Sequence, residues 1–66
     1  MKKLKKYFEH YKQIYPHLSS FMWFVKAVKQ TKPKYRALRT GFNELVEFKD
    51  YSPSDREQLI KWLSKK

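Results

Sequence analysis

Three prolines, at positions 16, 33 and 53, divide this 66-residue chain into four segments, and each segment carries apolar residues at α-helical spacing. The pattern predicts an all-α fold, a single small bundle of four short helices over about residues 3–14, 20–30, 33–48 and 53–64. In the first segment Leu4, Tyr7, Phe8, Tyr11, Ile14 and Tyr15 share one face, opposite Lys2, Lys3, Lys5, Lys6, Glu9, Lys12 and Gln13. Pro16 biases Tyr15 away from helical geometry and ends that helix. In the second, Leu18, Phe21, Met22, Phe24, Val25 and Val28 form a broad apolar sector behind a serine cap at Ser19 or Ser20.

The third segment holds Tyr35, Leu38, Phe42, Leu45 and Val46 in one phase, with Pro33 suited to a first helical position. The phase persists through Gly41, the only glycine, so one continuous helix is expected there. Glycine inside a helix costs up to about 1 kcal/mol against alanine, and close packing of a neighbouring helix would justify it. Ser52-Pro53-Ser54-Asp55 is the clearest helix start in the chain: a cap, a proline and an acid placed to meet the helix dipole. Leu59, Ile60 and Leu63 then make a narrow apolar stripe with Trp62 on its flank.

A chain this short makes one domain and buries only about 60% of its unfolded surface. It has no cysteine, so neither disulfides nor thiolate zinc sites can help. Aromatic residues, 18% of the chain, supply the core instead, each buried ring removing roughly 150–250 Å² from water. That aromatic content also leaves room for a homodimer. No apolar run nears the roughly 20 residues that a membrane span needs. The start, Met1 to Lys6, resembles the charged beginning of a signal peptide, but Tyr7, Phe8, Glu9 and His10 follow it in place of an apolar stretch. The segment is therefore expected to be part of the mature fold, and the chain to be cytoplasmic.

The net charge is +10, and residues 1–43 carry all of the excess, with eleven Lys or Arg against Glu9 alone. Residues 44–66 balance five cations against five acids. Two basic groups stand out: Lys2, Lys3, Lys5 and Lys6, and a run across the second and third helices, Lys26, Lys29, Lys32, Lys34, Arg36 and Arg39. Like charges at this density repel one another and weaken the folded state, which a polyanionic partner would compensate. The plainer reading is a solvated basic surface.

The corner between helices two and three is the first-choice site. A helix start near Lys34 offers free N–H groups and partial positive charge, and Arg36 and Arg39 can grip phosphates with two N–H groups each. Asn43 follows on the same side, where it can read adenine or simply be hydrated. Trp23 projects about 160° from the apolar centre of its helix, so it can stack on a base or insert into a membrane interface unless the helix is buried on two sides. Tyr35 has the same choice, though its phase with Leu38 and Phe42 favours the core.

His10 and His17 are too far apart on a helix to share a metal, and no metal or cofactor is expected. There is no phosphate-binding glycine loop, nucleophile elbow or paired catalytic carboxylate, so the chain is expected to be non-enzymatic. Ala37 and Gly41 have the first spacing of a helix-turn-helix, but the later apolar positions fall on Glu47 and Asp50.

The leading expectation is a small regulatory or accessory protein that binds DNA or RNA. Two others come from different classes. One is a cationic membrane-active protein like a leaderless bacteriocin, which would be secreted and would act on an anionic membrane. The other is an interaction module or inhibitor that binds an acidic protein surface.

Overall fold

Serine hydroxyls start two of the helices in the computed structural model, which describes residues 2–65. Ser19 Oγ accepts from Met22 N–H at 3.3 Å and opens α2 (Ser20–Thr31). Ser52 Oγ accepts from Asp55 N–H at 3.1 Å and opens α4 (Pro53–Ser64), with the proline in its first turn. The other helices are α1 (Lys2–Ile14) and α3 (Tyr35–Glu44), and a 3₁₀ turn (Val46–Phe48) follows α3. The four expected helices are therefore all present, and α4 has the expected bounds. Among the described residues no helix is long and apolar enough to cross a membrane.

The core is aromatic, as the composition required. Phe8 of α1, Phe24 of α2, Phe42 of α3 and Phe48 of the 3₁₀ turn are sealed from solvent. Phe24 meets Phe42 and Phe48 edge-on at 5.2 Å and 5.5 Å. Phe42 and Phe48 stack at 4.4 Å with planes 10° apart. Offset stacks and edge contacts of this kind add roughly 0.5–1.5 kcal/mol per pair beyond area burial. Leu4, Leu38, Ile60 and Leu63 fill the space around the rings.

The third helix departs from expectation at both ends. It begins at Tyr35, with Lys34 as its cap residue and Pro33 outside it. It stops at Glu44 because Leu45 takes extended geometry, φ −82° and ψ 125°. An unbroken helix would hold Phe48 about 120° away from Phe42 in projection and put Val46 inside. The break reverses the two: Phe48 is 1% exposed and Val46 65%. A phenylalanine ring removes more apolar area from water than a valine, so burial outweighs helical continuity. Arg56 then ties down the connection to α4, donating to the carbonyls of Lys49 at 2.9 Å and Tyr51 at 3.2 Å.

The helices alternate in direction. Phe8 of α1 and Tyr15 just after it meet Phe24 and Trp23 of α2, Phe24 meets Phe42, and Arg39 meets Glu57. The end of α2 and the end of α4 consequently meet beside Leu38 of α3, whereas the start of α1 lies against Thr40, Gly41 and Glu44 in the second half of α3.

Helix α3 runs straight through Gly41, as its phase implied, and Leu4 of α1 explains the residue. A Cβ added at Gly41 would lie 2.6 Å from Leu4 Cδ2. Gly41→Val is predicted to lower stability by about 1–3 kcal/mol through overpacking. Leu4→Ala should then cost less in that background than in the wild type, in urea-denaturation cycles of the four proteins.

Candidate functional site

The shared end collects lysines from distant parts of the sequence. Lys29, Lys32 and Pro33, from the end of α2 and the loop behind it, line one groove with Leu38 of α3 and with Leu63 and Ser64 of α4. Lys34 and Arg36 are exposed beside it at the start of α3. Lys61 and Lys65, also exposed, flank Ser64 on α4. No side-chain cap closes the first turn of α3, unlike α2 and α4. The first-turn N–H groups of α3 thus add to the positive potential of this end.

A block-wise charge count hides Lys61 and Lys65, because residues 44–66 balance as a whole. Subdivided, residues 44–57 hold five acids against Lys49 and Arg56, whereas residues 58–66 hold three lysines and no acid. The fold carries Lys61 and Lys65 away from the acids of the α3–α4 connection, although Glu57 reaches Tyr35 and Arg39 of α3. The turn and loop between α3 and α4, with Glu47 and Asp50, close the far end.

Lys32 has an unusual backbone. It caps α2 in the left-handed region, φ 48° and ψ 57°, and its N–H donates to Val28 O at 2.7 Å. Glycine is the common residue at such a cap, and a side chain there costs roughly 1–2 kcal/mol. A lysine at this position is a local strain at the centre of the lysine-rich end.

The other expected site residues are dispersed. Trp23 is buried, 9% exposed, because α2 packs on two sides. Its Nε1–H donates to Tyr15 O at 2.6 Å and its ring meets Phe8 edge-on, so it is not available to stack on a base. Lys26 is half-buried, with Nζ 4.9 Å from the centre of the Tyr15 ring on the α1–α2 seam. Arg39 is paired with Glu57 at 2.9 Å, which offsets its charge. Asn43 lies further along α3, in a groove with Arg39, Pro53, Arg56 and Glu57 toward the far end. Tyr35 is on the surface, 41% exposed, rather than in the core. Its hydroxyl donates to Glu57 Oε2 at 3.5 Å, which holds the ring between Lys34 and Arg36.

The second basic group is mixed with acids. Lys3, Lys5 and Lys6 are exposed, but Lys5 and Lys6 share a groove with Glu9, Glu44 and Thr40. Of Lys2 only the backbone is described. Lys12 is spent on Glu47 at 3.0 Å. The hydrogen bond and then the charge of Glu47 hold the Lys12 ammonium above the ordinary lysine range, with a smaller push from Glu9 against slight desolvation. A raised folded-state value means that this pair stabilises the fold fully at neutral pH. The Lys12 contribution is lost as pH climbs through the alkaline range above an ordinary lysine.

Against known proteins, the chain matches no family model, no curated sequence and no solved structure.

Two substitutions separate the structural residues from the candidate site. Lys32→Gly is predicted to raise stability by about 1 kcal/mol by relieving the left-handed lysine. Trp23→Phe is predicted to cost about 1–3 kcal/mol through the lost indole bond and smaller ring. Urea denaturation measures both.

Proposed function

We propose that this chain is a small, non-catalytic nucleic-acid-binding protein, regulatory or accessory, that seats a phosphate backbone on its lysine-rich end. The observation that carries the reading is the groove lined by Lys29 and Lys32 with Leu63 and Ser64, next to which the exposed Lys34, Arg36, Lys61 and Lys65 lie in sequence, while five of the six acids belong to residues 44–57. The chemistry favours phosphates over an acidic protein surface. Lysine is depleted at protein–protein interfaces, whose cores rely on apolar and aromatic anchors. Ammonium groups on flexible stems follow a phosphate backbone without needing shape complementarity. Tyr35, exposed between Lys34 and Arg36, adds one ring on which a base can stack. Lys32 supports the reading as well, since a strained residue whose side chain serves a ligand is a familiar compromise between stability and binding.

Six cations releasing counterions from duplex DNA give a log–log salt slope of about −5, at roughly −0.9 per phosphate. Lys34→Ala is predicted to make the slope shallower by about 1, and Lys32→Gly to weaken binding despite its stabilising effect. Lys49→Ala, at the far end, should leave the slope unchanged. Anisotropy titrations at several salt concentrations measure all three. Binding that is indifferent to salt, or equally sensitive at Lys49, would refute the proposal.

A further inference from the structure

A second surface bears on which kind of nucleic acid this end would take. Tyr7, Tyr11 and Tyr15 form one row along α1, each half-exposed, while Leu4 and Phe8 of the same helix are sealed. Their rings follow one another at 6.4 Å and 6.1 Å, and the planes of Tyr11 and Tyr15 are only 19° apart. Exposed histidines brace the row. His10 stands edge-on to Tyr7 at 6.3 Å and to Tyr11 at 5.3 Å, and His17 stands edge-on to Tyr15 at 6.2 Å. Lys26 reaches over the Tyr15 ring at 4.9 Å. Lys3, exposed, lies one turn before Tyr7 on α1. Glu9, the one acid of α1, lines the groove toward α3 instead.

Part of each tyrosine packs against the core, and packing does not account for the part of each ring left in solvent. A helix flank that merely closes a core can be covered by aliphatic stems, whereas Tyr7, His10 and Tyr11 of α1 and Tyr15 and His17 just after it, the tyrosines packed against the core, also present five aromatic rings to partial or greater solvent contact. Rings ordered by their neighbours offer apolar area at low entropic cost, and every base has a π-face to lay on them. In a duplex those faces are already stacked, so only an unpaired strand can use such a row.

We propose that Tyr7, Tyr11 and Tyr15, braced by His10 and His17, form a stacking track for unpaired bases, which makes single-stranded nucleic acid the substrate class. The proposal rests on the lysine-rich end binding phosphates. Lys26 neutralises the backbone beside the track, and the strand continues from it onto the lysines at the end of α2.

The test compares a labelled oligothymidylate with a hairpin duplex of equal charge at one salt concentration, by anisotropy. The single strand should bind about tenfold more tightly than the duplex. Tyr11→Leu and, separately, His10→Ala at an exposed position should each erode that preference while leaving duplex affinity and its salt slope in place. Tyr11→Phe should retain it, and circular-dichroism melts confirm that each variant is folded. Equal affinity for the two probes, or a preference that survives both Tyr11→Leu and His10→Ala, overturns the stacking track and leaves the phosphate-binding reading standing. No binding to either probe, with capture instead by anionic phospholipid vesicles, overturns both.

Discussion

Four phenylalanines, Phe8, Phe24, Phe42 and Phe48, meet at the centre of the molecule, and the rest of the structure is arranged by the need to keep them together. A chain of 66 residues without cysteine has no covalent staple, so apolar burial must offset the chain entropy alone. Taking one ring from each of α1, α2, α3 and the 3₁₀ turn brings those elements to a common point, and Ile60 adds α4. Short connections then leave consecutive helices antiparallel. The break at Leu45 has the same origin, because Phe48 reaches the cluster only if α3 ends early.

Alternating helix directions sort the charge. The end of α2, with Lys29 and Lys32, and the end of α4 are far apart in sequence, yet the bundle brings them to one groove. The acids of residues 44–57 occupy the end of α3, the following loop and the start of α4, which is the opposite arrangement. Two of those acids are engaged within the fold, Glu47 by Lys12 and Glu57 by Arg39. Repulsion among the lysines is therefore concentrated where a polyanion would relieve it most.

Much of the fold was legible before the structure. Ser19 and Ser52 marked helix starts through their caps, the prolines separated the segments, and the phase through Gly41 implied an unbroken α3 at that point. The site was legible only in part. Trp23 was ambiguous because a helix packed on two neighbours buries more than one face, and a single-helix projection does not reveal how many neighbours there are. Val46 and Phe48 exchanged roles because periodicity assumes one continuous helix, whereas ring burial selects the break. Lys61 and Lys65 were hidden by averaging charge over a block of sequence that the fold divides. Tyr35 was read as core from its phase, although its hydroxyl has a surface partner in Glu57.

The central claim is that the fold makes one end of this bundle, and not its surface at large, the place where a polyanion binds. Amide spectra of the isotopically labelled protein, recorded as a short DNA duplex is added, test it most directly. The account predicts shifts concentrated in residues 29–36 and 61–65, with residues 46–52 silent. Shifts spread evenly over the four helices, or centred on the loop between α3 and α4, would contradict it.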